Sequence, residues 1–320
     1  MMNTAVVTSG PWGADDYPSC TDVTTAQSSS RKMFPLWTEI LGLSKAQWVG
    51  VDFPLNAPSE QYRAAVEQIK YDPLSCGALV TTHKVNVLNA ARNLFEELTA
   101  DATLCNEVAC IYKDGLRLIG HAVDPETSGK AMQYFIPPGY WARTKAEILC
   151  LGAGGSAVAI AAHLLRNTPA TDRPRRVTFV NRSAGKLAFL KQLEQQLPPT
   201  GIEFVYIENS DPQVNDSLMA ALPAESMVIN ATGMGKDTPG SPLNDAAIWP
   251  EGCCAWELNY RGELDFMQQA LRQRESRGVR VEDGWVYFVL GWSEVVSRVF
   301  SVPITPERFE ALATAAATVR

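Results

Sequence analysis

Leu149-Cys150-Leu151-Gly152-Ala153-Gly154-Gly155-Ser156-Ala157 is the stretch on which the fold turns. A short apolar strand reads over 147–151, a glycine-rich turn follows, and residues 156–166 carry apolar side chains at helical spacing. Gly152 makes the tight turn off the strand, and Gly154 lets the backbone approach a pyrophosphate. Ala157, at the third position of the motif, permits close packing of helix on strand. The helix N-terminus then offers unpaired N–H groups and a favourable dipole to a phosphate. Strand, turn and helix in this order form a dinucleotide-binding signature, with Gly152, Ala153, Gly154, Gly155 and Ser156 as its candidate ligands.

Downstream, apolar runs at 176–180, 204–207 and 227–231 read as further strands alternating with helices. This order predicts a doubly wound parallel sheet over 140–284. The second strand leads into Asn181-Arg182-Ser183, with Lys186 nearby. A site for NAD places an acid there to accept the ribose 2′-hydroxyl, and none is present. Asn181, Arg182 and Ser183 suit a 2′-phosphate instead, since the guanidinium presents a planar fork of donors. NADP is therefore the expected cofactor and NAD the alternative; a solvated polar loop is the plainer reading. Asn230-Ala231-Thr232-Gly233-Met234-Gly235 follows the fourth strand, and its small residues let a cofactor lie over the sheet edge, with Thr232, Gly233 and Met234 as candidates.

Upstream, residues 1–19 read as a flexible arm rich in Gly, Pro, Ser and Asp. From 20 to 130 the pattern is again α/β, with strands at 48–53 and 77–81 and helices at 64–70 and 85–98. A hairpin is expected over 108–120, turning at Lys113-Asp114-Gly115. Residues 283–300 and 305–319 read as helices, the second with Pro306 near its first turn.

The composition narrows the function classes. With 320 residues, two domains are expected. A net charge of −7 without a basic run argues against a nucleic-acid partner. No window of about 18 residues is apolar enough for a membrane span, and no secretory pattern opens the chain. The seven cysteines are odd in number and form no CxxC pair, which fits reduced thiols in the cytoplasm. Three dispersed histidines, His83, His121 and His163, give no metal-ligand spacing.

From about residue 20 to 320 the chain resembles the shikimate/quinate dehydrogenase family. The resemblance rests on residues 152–156, on Asn181-Arg182-Ser183 where the family has Asn-Arg-Thr, and on residues 230–235. Leu258-Asn259-Tyr260 resembles the family's tyrosine-bearing loop, which implies that Tyr260 binds substrate. Gln27-Ser28-Ser29-Ser30 resembles the Ser-x-Ser substrate loop, with Ser28 and Ser30 as its serines. Thr81-Thr82-His83-Lys84 and Gly120-His121-Ala122-Val123-Asp124 resemble the segments ending in the catalytic lysine and aspartate. The implied fold is an N-terminal α/β substrate domain, residues 20–130, and a Rossmann-type cofactor domain, residues 140–284, with a cleft between them. The C-terminal helices, 285–320, return to the first domain. The implied activity is NADP-preferring interconversion of a ring hydroxyl and ketone on a small alicyclic hydroxy acid, within aromatic amino acid biosynthesis. A cytoplasmic monomer or homodimer acting on a small molecule is expected.

Six polar positions depart from the family. Ala78-Leu79-Val80 replaces Asn-Val-Thr, Ala109 falls on an asparagine, and Gly291 falls on a substrate-binding glutamine. Ala122-Val123 also replaces the Asn-Thr before the aspartate. A site without these donors and acceptors binds a multiply hydroxylated ring poorly. Quinate or another shikimate-like compound is therefore an alternative to shikimate, as is a non-catalytic sensor on the same fold. Lys84 and Asp124 alone read rather as a plain ion pair bracing two strands; the resemblance reverses this and makes them the acid–base pair. Ser28 and Ser30 either bind a substrate carboxylate, helped by Arg31 or Lys32, or form a solvated polar loop.

Overall fold

The structure is a computed structural model describing residues 2–8 (backbone only), 28–54, 57–81, 83–236 and 238–320. Gln27 and Thr82 lie outside the described residues. The chain divides into two units, Met1–Val123 with Val289–Arg320, and Asp124–Phe288.

The first unit runs β1 (Met2–Thr8), α1 (Ser29–Leu41), β2 (Gln47–Phe53), α2 (Ser59–Tyr71), β3 (Ser75–Val80), α3 (Lys84–Ala91), β4 (Glu97–Leu98), α4 (Ala100–Cys105), β5 (Cys110–Asp114) and β6 (Arg117–His121). Its sheet has the order β2-β1-β3-β5-β6-β4. The expectation of an arm over 1–19 is corrected at its start. Residues 2–8 form a strand lying antiparallel between β2 and β3, in register with Gln47 to Phe53 and with Ser75 to Val80. Those partners are 39 to 76 residues away, so the local composition carries no trace of the pairing.

Two further expectations shift. The helix expected over 85–98 ends at Ala91, followed by a 3₁₀ turn at Arg92–Leu94. The chain then leaves as β4 because an edge is open to it. Glu96 N donates to Leu118 O at 3.0 Å and Thr99 N to Gly120 O at 3.0 Å. In the β5–β6 hairpin Lys113 and Asp114 remain in the strand, and the turn falls on Gly115-Leu116 with Gly115 at φ 61°.

Ser28 caps α1, its hydroxyl accepting from Ser30 N at 3.3 Å, and Gly42 ends the helix in the left-handed region at φ 70°. Trp37 of α1 is fully buried and donates its indole N–H to Leu312 O at 2.9 Å, which pins α1 to the last helix. Val299 packs over Gly77 of β3, where a Cβ would stand 2.2 Å from Ile111 O.

The second unit runs α5 (Asp124–Gln133), α6 (Tyr140–Thr144), β7 (Ile148–Leu151), α7 (Gly155–Arg166), β8 (Arg176–Asn181), α8 (Ala184–Gln195), β9 (Glu203–Glu208), α9 (Pro212–Ala220), β10 (Met227–Asn230), β11 (Cys254–Glu257), α10 (Asp265–Leu271), α11 (Arg274–Arg277) and β12 (Arg280–Glu282). Helix α12 (Trp285–Phe300) starts in this unit and ends in the first, where α13 (Pro306–Ala317) follows. The sheet order is β9-β8-β7-β10-β11-β12, and every neighbouring pair is parallel. This is the doubly wound order, in which the winding reverses between β7 and β10 and leaves a crevice at their carboxyl ends. The fold is α/β with a Rossmann-type parallel sheet, as the glycine-rich stretch predicts.

The segment after Asp124, whose Pro and Gly suggest a loop, is the beginning of α5. Pro125 occupies the first turn, where a missing N–H costs nothing, and Asp124 and Glu126 face the positive end of the dipole. Gly129 lets α5 meet α7 closely: a Cβ there would lie 2.0 Å from the His163 ring. Burial pushes the His163 imidazole below its usual pKa and keeps it neutral.

Candidate cofactor and catalytic site

The cofactor end is built at the reversal point of the second sheet. Gly152 leaves β7 at φ 113°, and its N–H donates to Val180 O at 2.7 Å. A Cβ there would stand 2.4 Å from Ala231 O, so the loop after β10 lies directly against the turn after β7. Gly154 differs. A Cβ there would meet nothing within 4 Å among the described residues, so its bareness leaves space outside the protein backbone. Gly154 is the N-cap residue of α7, and no side chain caps that end of the helix. These residues fit a dinucleotide pyrophosphate, and the fit rests on the cleared space and the helix end together.

Asn181 ends β8, and its Nδ2 donates to Ser183 O at 3.1 Å, shaping the turn into α8. Arg182 and Ser183 are exposed on that turn, and Lys186 is exposed in the first turn of α8. The third predicted segment is held from below. Asn230 Oδ1 accepts from Thr232 N at 3.2 Å and Thr232 Oγ1 at 2.6 Å, and Met234 N donates to Thr232 Oγ1 at 3.1 Å. Gly233 and Gly235 both sit at positive φ, 79° and 85°.

Beneath this loop lies Glu257, a residue the sequence reading missed. It is buried, and burial pushes its carboxyl up to about 7 against the opposing donors of Asn230 and Asn259. Its signal was an acid closing an otherwise apolar strand, Cys254-Ala255-Trp256-Glu257. Tyr260 stands 5.5 Å from Trp285 and 4.4 Å from Phe288, ring to ring. These aromatics of α12 therefore pack around the candidate tyrosine.

In the first unit, Ser28 and Ser30 hydroxyls are 2.6 Å apart, and Ser30 is buried. Both are engaged in the start of α1, and Arg31 and Lys32 are exposed beyond them. Lys84 opens α3, with its Nζ 3.7 Å from Oε1 of the buried Glu107. Val108 N donates to Lys84 O at 3.3 Å, which ties the two segments together. Glu107 was not singled out from sequence, because nothing local sets it apart from other acids.

His83 bonds Tyr62 Oη through Nδ1 at 2.9 Å and contacts Phe53 O through Nε2 at 3.3 Å. His121 Nδ1 lies 2.8 Å from Thr99 Oγ1. Both are partnered histidines within the packing. Val80 N donates to Ala109 O at 2.8 Å and Ala109 N to His121 O at 2.9 Å, so the departures at Val80 and Ala109 lie side by side, buried. Ala78 is buried beneath them, while a Cβ at Gly291 would meet nothing within 4 Å among the described residues.

Asp124 is the first residue of α5 in the second unit. Glu126, in the same first turn, pairs with Lys130 at 2.6 Å along the helix. No group of three potential metal ligands occurs among the described residues, and no described helix is long and apolar enough to cross a membrane.

No protein-family model matches the chain. The shikimate dehydrogenase (NADP(+)) of Symbiobacterium thermophilum is 27% identical over 237 residues, 73% of each chain. That of Caulobacter vibrioides is 31% identical over 142 residues, 44% of this chain and 42% of the relative. The crystal structure of shikimate dehydrogenase from Aquifex aeolicus superposes with a TM-score of 0.66 at 19% identity, covering 90% of this chain and 92% of that one. In sequence and in fold the chain is similar to the shikimate dehydrogenases.

Proposed function

We propose that the chain is an NADP-preferring oxidoreductase interconverting a ring hydroxyl and ketone on a small alicyclic hydroxy acid, with shikimate and 3-dehydroshikimate as the default pair. The observation that carries this reading is the contact of Gly152 with Ala231 at the reversal point, with Asn181-Arg182-Ser183 at the neighbouring strand end. The printed activity of the curated relatives, NADP(+)-dependent shikimate dehydrogenation, supports it.

The dinucleotide, when bound, supplies the hydride acceptor or donor. The chain supplies the rest. Lys84 exchanges the hydroxyl proton and its charge favours a developing alkoxide; Asp124 orients the substrate hydroxyl. Glu107, 3.7 Å from Nζ of Lys84, helps to hold that side chain in place. Ser28, Ser30 and Tyr260 bind substrate, and Gly152, Ala153, Gly154, Gly155, Ser156, Thr232, Gly233 and Met234 hold the cofactor. The same reading places the protein in the cytoplasm, in aromatic amino acid biosynthesis, as a monomer or homodimer.

The buried apolar trio Ala78, Val80 and Ala109 favours a second reading in which the chemistry is kept and the substrate differs, as with quinate or another shikimate-like compound. An absorbance assay at the reduced-nicotinamide band tests both, with NADP and NAD against shikimate, quinate and close analogues. Faster turnover with NADP on shikimate is the expected result. Turnover on an analogue alone selects the second reading. NADP binding without turnover on any of them overturns the enzymatic reading in favour of a sensor.

A further inference from the structure

Glu257 closes β11 without solvent exposure. A carboxylate in that setting has to be met by donors. Its Oε2 accepts from Asn230 Nδ2 at 2.7 Å, and its Oε1 accepts from Asn259 N at 2.8 Å and Asn259 Nδ2 at 2.7 Å. The two asparagines pass this order outward. Both side-chain amides also donate to Met234 O, at 3.3 and 3.1 Å, while Asn230 Oδ1 receives Thr232. The loop at 230–235 thus hangs on one buried acid. All three groups facing that acid are N–H donors, so only a group with acceptors on both oxygens satisfies them. A protonated carboxyl leaves one of these oxygens a weaker acceptor carrying an O–H of its own, and an amide sets a donor against a donor.

We propose that Glu257 is a positioning residue for the nicotinamide end of the dinucleotide: ionised, it gathers the Asn230 and Asn259 amides and holds residues 230–235 in the form that receives the ring. The proposal rests on the NADP reading of this site. On the β12 side, Arg280 is in register with Cys254 at the start of β11, and the charged groups nearer Glu257 are acidic. Glu282 is in register with Trp256, and the charge of Asp283 adds to burial in disfavouring ionisation. The β10 side presents only neutral Asn230, and the next charged residue along the loop is Lys236. With the carboxyl titrating at about 7, the ordered loop is lost as pH falls through neutrality.

The test compares NADPH with 2′,5′-ADP, which carries the 2′-phosphate and lacks the nicotinamide. Dissociation constants for both are measured by calorimetry from pH 5.5 to 8.5, for the unmodified chain and for Glu257→Gln. Their ratio at each pH cancels titration of the shared phosphate. In the unmodified chain, the preference for NADPH should shrink at least fivefold between pH 8 and pH 6. In Glu257→Gln the preference should be low and flat, with 2′,5′-ADP binding unchanged. A pH-independent ratio in the unmodified chain overturns the proposal, and this arm needs no variant to fold. The same slope in both proteins also overturns it, since another group then titrates. Absence of any 2′,5′-ADP or NADPH binding counts against the NADP reading itself and takes the proposal down with it.

Discussion

The two units carry their family resemblance differently. In the second, the phosphate turn, the Asn-Arg-Ser corner and the loop after β10 all keep small or donor residues where a dinucleotide needs them. In the first, the buried residues Ala78, Val80 and Ala109 stand where the resemblance leads one to expect polar side chains, and a buried acid, Glu107, stands beside Lys84. Cofactor recognition relies on backbone N–H groups and a helix end, which one ligand fixes for every member of a family. Substrate recognition relies on individual side chains, each free to change with the substrate. The difference locates divergence in the first unit.

Four substitutions break or sharpen this contrast. Lys84→Ala should lower turnover by roughly 10²–10⁴-fold while leaving NADP affinity nearly unchanged. Steady-state kinetics beside calorimetry checks it, and retained turnover removes the catalytic assignment. Gly152→Ala forces a side chain to φ 113° and against Ala231 O, at a cost of about 2–4 kcal/mol. Thermal unfolding should show the loss, with NADP binding abolished; an unchanged midpoint contradicts the tight turn. Arg182→Ala should weaken NADP by about 10–100-fold and leave NAD alone, the scale of a hydrogen bond to a charged group. Equal losses for both cofactors mean that the corner does not read the 2′-phosphate. Glu107→Gln should lower turnover about threefold to tenfold without touching cofactor affinity, the scale of ~1 kcal/mol for an ion pair. A loss in NADP binding instead ties Glu107 to the fold rather than to Lys84.

The sequence was most legible where structure is local. The β7 turn and α7 are consecutive residues, and the apolar runs of a parallel sheet announce themselves without their partners. Legibility fell where partners are distant. β1 is specified by residues in β2 and β3, and β4 by the open edge beside β6, which cut short an expected helix. Asp-Pro-Glu-Thr-Ser-Gly after residue 123 looked like a loop, yet its acids and proline are helix-start residues and its glycine answers to His163. Glu107 and Glu257 escaped for one reason: an acid declares its role through what surrounds it after folding. The Asn-x-Thr-Gly segment was visible, while the carboxylate beneath it was not.

The close seat of α5 on α7 at Gly129 also bears on how Asp124 travels. With no side chain between backbone and the His163 ring, the two helices form an interlock with little room to slide. Asp124 sits at the free end of one helix and the phosphate turn at the start of the other. The interlock therefore ties the helix that begins at Asp124 to the helix that begins at Gly155 within a single unit.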